Sequence, residues 1–154
     1  MFVKEELTGW VPGYSAQEID LWLMNHPGVV LPDEVRRMWE NASYGRVGNA
    51  EEAGAVDLID GSTTAGIEII RLFPPPGKMA VFVVDVDEVF RTTRPALGDN
   101  YRPFLLDAFG NVFLWDGSCA DGEVVFLDRT HWRAVLVCEH VSDFRELVRL
   151  SSKY

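Results

Sequence analysis

Lysine is almost absent from this sequence, occurring only at positions 4, 78 and 153, and 14 lysines and arginines stand against 24 aspartates and glutamates for a net charge of −10. That balance excludes the clustered cations with which a nucleic-acid binder displaces counterions from phosphates. Cysteine is scarcer still. Cys119 and Cys138 are too few for a disulfide scaffold, and no spacing to His26, His131 or His140 makes a zinc site. They read as reduced thiols of a cytoplasmic protein. The longest apolar run, residues 79–84, falls far short of the 18 or more residues of a membrane span. Met1 to Glu6 lacks the basic-then-apolar start of a secretory signal. No Gly-x-Ser-x-Gly nominates a nucleophile, and Gly45, Gly48 and Gly54 lead into no Lys-Ser/Thr, so neither a triad nor a phosphate loop is expected. The reading is a protein that is not an enzyme and needs no cofactor.

What is present is an ordinary globular mixture, 47% apolar and 12% aromatic, long enough to bury about 68–70% of its unfolded surface in one domain spanning 1–154. Ser15-Ala16-Gln17-Glu18 is a capping box, and Ile19, Trp22 and Leu23 follow on one face, so a helix runs from there to Pro27-Gly28. A second helix starts at Pro32-Asp33-Glu34, carries Val35, Met38, Trp39 and Ala42 on one face, and is expected to close at Tyr44-Gly45. Residues 47–70 read as loop with short pieces of structure. Gly66 to Phe73 is open between a strand and a helical turn, and Pro74-Pro75-Pro76-Gly77 reads as a rigid turn. Lys78 to Val86 fits a buried strand, Asp87 to Phe90 one or two helical turns, and Pro95 to Arg102 a loop. Phe104–Asp107, Val112–Asp116, Glu123–Asp128 and then Trp132–Cys138 read as a meander, and Ser142 is expected to cap a last helix bearing Phe144, Leu147 and Val148. The order predicts an α+β fold, with N-terminal helices packed on a mainly antiparallel sheet and a C-terminal helix.

Two features invite a chemical reading. Asp85 and Asp87, two apart with Glu88 beside them, would share a hard cation if the chain there were extended, and a small metal-dependent enzyme is the alternative they support. The plainer reading is that Asp85 or Asp87 caps the following turn. The second feature is two windows without any base. Arg46 to Arg71 encloses Glu51, Glu52, Asp57, Asp60 and Glu68, and Arg102 to Arg129 encloses Asp107, Asp116, Asp121, Glu123 and Asp128. These are either solvated surface or a negative face that steers a basic partner.

Leu31-Pro32-Asp33-Glu34-Val35-Arg36-Arg37-Met38-Trp39, ending at Tyr44-Gly45, resembles the Leu-Pro start and Asn-Gly end of the SUKH superfamily, the Smi/Knr type of bacterial immunity domain. Asp107-Ala108-Phe109-Gly110-Asn111-Val112-Phe113-Leu114-Trp115-Asp116, with Gly122 to Asp128, is similar to its glycine-rich turn and paired strands, and Val141 to Leu147 to its closing helix. Val35 stands where the family has an aromatic residue, Tyr44 where it often has Asn, and 47–100 aligns with nothing. The Phe-Gly-Asn-x-Phe-Leu-Trp strand is similar also to GAD-like immunity proteins. Either resemblance implies a cytoplasmic protein that binds one cognate secreted toxin, such as a nuclease or nucleic-acid deaminase, and covers its active site. An adaptor for a cellular protein, as some SUKH members are, is a further alternative. On that reading the toxin-binding residues are Glu51, Glu52, Asp57, Asp60, Asp116 and Asp121, with Tyr44, Tyr101 and Trp132 as aromatic anchors, since binding hot spots favour such rings.

Overall fold

The structure, a computed structural model, describes residues 1–73 and 84–153. A 3-10 turn at Lys4–Glu6 leads into β1 (Leu7–Pro12), α1 (Ala16–Met24), α2 (Asp33–Asn41), β2 (Ala42–Val47), β3 (Glu52–Asp57), β4 (Thr63–Ala65) and β5 (Glu68–Ile69). Then come α3 (Val86–Leu97), β6 (Tyr101–Leu106), β7 (Val112–Asp116), β8 (Val124–Asp128), β9 (Arg133–Cys138), α4 (Val141–Leu147) and β10 (Val148–Ser152). Seven strands form one sheet in the order β1-β2-β5-β6-β7-β8-β9, and β10-β3-β4 form a second. All pairings between these strands are antiparallel, so the fold is the expected α+β. Among the described residues, no helix is long and apolar enough to cross a membrane.

The capping box of α1 is in place: the Glu18 N–H donates to the Ser15 hydroxyl at 3.1 Å, and the Ser15 N–H to the Glu18 carboxylate at 2.9 Å. This fixes the register that buries Ile19 and Trp22. In α2, Val35, Met38 and Trp39 turn inward, and the Trp39 indole donates to the Ile70 carbonyl at 2.9 Å. Its ring meets Trp115 edge-on, and Trp115, Phe104, Phe144 and Phe113 continue as a chain of edge-to-face contacts at 5.4–5.9 Å. Alternation along β7 puts Phe113 and Trp115 on that face and Val112 and Leu114 on the other. All four are fully buried, so the sheet is covered on both sides.

Several boundaries differ from the sequence expectation. Tyr44-Gly45 does not close α2; Ala42 already begins β2, which pairs with β1. Gly45 adopts no left-handed conformation, and the Leu7 side chain lies about where its Cβ would contact it, 3.1 Å away. Residues 52–57 and 63–65, within the stretch expected to be loop with short pieces of structure, are strands of the second sheet, and in the open segment Glu68–Ile69 is a strand. Pro95 lies inside α3, which runs on to a Gly98 with φ 82°. Pro95 has no N–H to give the Arg91 carbonyl four residues back, but it stands two residues from the helix end, so little helix follows the interruption. Ser142 is not the cap of α4, as shown below, and Val148 belongs to β10. The rigid turn at Pro74 to Gly77 and most of the strand expected at Lys78 to Val86 lie outside the described residues; Val86 itself opens α3.

The second sheet rests against the first at β2 and at the β6–β7 turn. A Cβ on Gly54 would sit 2.7 Å from the Val47 side chain, so glycine there permits the close approach. At the turn, the buried Asp107 carboxylate accepts from the N–H groups of Phe109 (2.9 Å) and Asn111 (2.8 Å), from the Asn111 side chain (3.1 Å), and from the Thr64 hydroxyl of β4.

Candidate functional site

The nine residues proposed from sequence do not form one site. Glu52 begins β3 and Glu51 precedes it, beside the end of β10, where their N–H groups donate to the Asn49 side chain and the Glu51 carbonyl accepts from the Lys153 N–H. Tyr44 is half-buried in β2, donating to Glu68 at 2.8 Å; burial is the first cause that pushes its phenol upward. Asp57 and Asp60 lie at the other end of β3. Tyr101, Asp116 and Asp121 gather at the end of the large sheet where β6 starts and β7 stops, hereafter the acidic end. Trp132 belongs to the opposite end, in the β8–β9 turn.

The first base-free window is base-free only along the chain. Asp57 pairs with Arg149 of β10 at 2.9 Å, Asp60 with Arg133 of β9 at 2.5 Å, and Glu68 with Arg46 at 3.7 Å. Asp57 and Asp60 therefore bridge strands, and reversing them would disturb the fold as well as a surface. The Arg149 guanidinium and then the Thr63 hydroxyl hold the Asp57 carboxyl down at about 2. A depressed native value means that this pair's stabilisation is present above the ordinary range near 3.8 and is lost as pH falls toward 2. NMR titration of Asp57 should show this low midpoint, and Arg149→Gln should return it most of the way to the ordinary value. A normal midpoint in the unaltered chain would remove the pair.

The second window keeps its charge at the acidic end. Among the described residues, Asp33, Asp116, Glu123, Glu139 and Asp143 make no ion pair with lysine or arginine, and Asp121 faces only His140, at 3.8 Å. The β7–β8 turn that carries this charge is tightly built. Asp116 accepts from the Ser118 N–H at 2.9 Å and hydroxyl at 2.6 Å, and a Cβ on Gly122 would press on Asp116 and Cys119 at 2.8 Å. Asp121 accepts from the Ser142 N–H (2.9 Å) and hydroxyl (2.8 Å), so it, and not Ser142, caps α4 from another loop; those bonds lower its carboxyl.

Three neighbouring groups register the negative field. The Tyr101 phenol is pushed up to about 12 by its hydrogen bond to Glu123, with burial, Glu123 charge and Asp116 adding. Burial, with Asp143 and Asp121 adding, raises the Cys138 thiol to about 11. His140 is raised by its bond to the Asp121 carbonyl (3.0 Å), then by the charges of Asp121, Asp143 and Glu139. A shallow cavity of about 270 Å³, lined by Leu31, Asp33, Glu34, Ala120 and Asp121, opens at this end. The arrangement can hold a cationic surface and an apolar tip.

The carboxylates read as a metal cluster take separate jobs. Asp85 caps α3, accepting from the Glu88 N–H at 2.9 Å, and Asp87 meets Nε2 of His26 at 2.6 Å. Among the described residues no group of three or more His, Cys, Asp or Glu side chains could hold a metal ion. Sequence reasoning passed over two exposed side chains at the Trp132 end: Ile59, 78% exposed, and Phe109, 85% exposed. Phe109 has a readable signal, because Asp107-Ala108-Phe109-Gly110 is a side-chain-anchored turn whose third position points outward.

Compared with models of protein families, with curated proteins and with solved structures, the chain matches none.

Proposed function

We propose that this chain is a non-enzymatic, cytoplasmic immunity protein that binds a cognate bacterial toxin and covers its basic active surface, as the SUKH resemblance implies. The supporting observation is the acidic end, where carboxylates from α2, the β7–β8 turn and α4 stand together without lysine or arginine partners. A toxin that grips phosphates presents the complementary charge, and such fields raise association rates by roughly 10 to 1,000-fold. Tyr101 and the cavity beside Asp121 supply the contact that charge alone lacks. Glu51, Glu52 and Tyr44 lie away from this end, and Trp132 lies at the opposite one.

The test is capture of the inactivated product of the neighbouring gene by the purified protein at about 50 and about 500 mM salt, a range over which screening shortens from well over 10 Å to a few ångströms. One-to-one capture that weakens at high salt is expected. No capture at either salt overturns the reading, and capture indifferent to salt overturns its electrostatic part.

A further inference from the structure

β9 is the last strand of the large sheet, and among the described residues no backbone group of Arg133–Cys138 bonds to any element but β8. Its sequence, Arg133-Ala134-Val135-Leu136-Val137-Cys138, is that of an interior strand, yet none of the six residues is buried, whereas four of the five are in both β7 and β8. A sheet edge of this kind pairs with another chain unless something blunts it. The other three edges are blunted. β1 contains Pro12 and two register shifts, β4 is three residues long, and β10 holds Arg149 with Lys153 directly after it. β9 has no lysine and no proline. Its one irregularity is the extra Val137 between the Val125–Leu136 and Val124–Cys138 pairings, which twists the edge and leaves it open.

Charge decides what fits this edge. Arg133 is the one charged residue of β9; its side chain is 61% exposed and bonds through Nη2 alone, to Asp60. Glu139, directly after Cys138, has no lysine or arginine partner among the described residues. A strand with a cation at its start and an unpaired carboxylate just past its end complements itself when two copies run antiparallel. A two-fold axis normal to the sheet must then pass through a pair of identical residues, because neighbouring pairs point to opposite faces. With Leu136 at the axis, Val135 falls opposite Val137, Ala134 opposite Cys138, and Arg133 opposite Glu139 of the second copy. No like charges meet. The net charge of −10 on each copy does not bar this seam. Glu139 and its counterpart stand about 20 Å apart along the paired strands, against a screening length of about 8 Å at physiological salt.

We propose that two copies of this chain associate through β9, antiparallel about Leu136, so that the large sheet of one continues into the large sheet of the other. The apolar run from Ala134 to Cys138 gains cover from its own counterpart, and the outward backbone groups of each strand gain partners. The seam belongs to the chain alone, so its test is independent of the toxin-binding reading.

The experiment is sedimentation velocity of the full chain at about 10 and about 500 µM, a range that brackets a small interface of weak affinity. Monomer should pass to dimer across it. Amide hydrogen exchange at the two concentrations should slow within 133–138 and in none of the other edge strands. Ala134→Lys, at an exposed position, sets one lysine into the seam from each copy and should weaken the dimer about ten-fold or more, while thermal unfolding stays cooperative. Glu139→Arg places like charges opposite each other at both ends of the seam and should weaken it as well. A chain that stays monomeric at the higher concentration, a dimer whose protection falls on β1, β4 or β10, undiminished association of either variant, or protection of β9 only on adding the inactivated toxin each overturns the proposal.

Discussion

Asp107→Ala is expected to lower stability by about 3 kcal/mol, since two buried or half-buried donors left without an acceptor cost about 1–3 kcal/mol each. For a chain of this size that is a fall of roughly 6–12 °C in melting temperature. The expectation follows from what the carboxylate connects. One oxygen gathers the N–H groups of Phe109 and Asn111, and the other takes the Asn111 side chain and the Thr64 hydroxyl, so a single 3% exposed residue both closes the β6–β7 turn and clips the second sheet onto it. Asp107→Asn retains one acceptor oxygen but turns an amide toward Thr64 and Asn111, and should cost about half as much. With Thr64→Val in the background, the effect of Asp107→Ala should shrink, because the hydroxyl no longer waits unpaired. Thermal unfolding followed by circular dichroism reads all three. A fall of less than about 2 °C for Asp107→Ala would mean the turn holds itself.

Replacing both Glu139 and Asp143 by lysine should slow association with a basic toxin by roughly 10 to 1,000-fold at low salt, with the difference closing as salt rises. Neither side chain makes a hydrogen bond or ion pair with a described residue, so the substitutions change field and not framework. The loss of an acid from the first turn of α4 costs about 0.3–1 kcal/mol. His140 provides an internal check. Its raised native value means its contribution to stability is full below the ordinary value of 6.5 and is lost as pH rises through the raised one. In the lysine variant this loss should move to lower pH, since two of its causes are gone. Unchanged association at low salt would place the partner elsewhere on the molecule.

What the sequence discloses depends on how local the deciding contact is. The Ser15–Glu18 box, the α2 stripe through Trp39 and the β6–β8 meander are specified within a few residues and were legible. β1 was not, because Gly9, Pro12 and two register shifts erase its alternation. β10 hides behind α4, where Val148 continues the apolar pattern of Phe144 although the chain has turned extended. Charge shows the same division. The window around Asp57 and Asp60 looked unpaired because its arginines, Arg149 and Arg133, come from β10 and β9; the acidity around Asp116 and Asp121 survived folding because no arginine or lysine among the described residues pairs with them. The cap of α4 was misassigned for that reason too, its acceptor being Asp121 from another loop.

The pairing of Val148 with Val56 and of Leu150 with Gly54 has a consequence for how the chain is made. β3 and β4 leave the ribosome long before β10, so the middle strand of their sheet waits with one edge open for on the order of ten seconds at ordinary translation rates. Ala55 and Val56, fully buried at the end, have no cover on that side in the interval. Folding of this sheet therefore waits for β10, whereas the Ser15 helix and the meander can organise earlier in synthesis, and nascent chains halted before residue 148 would be the species that chaperones hold.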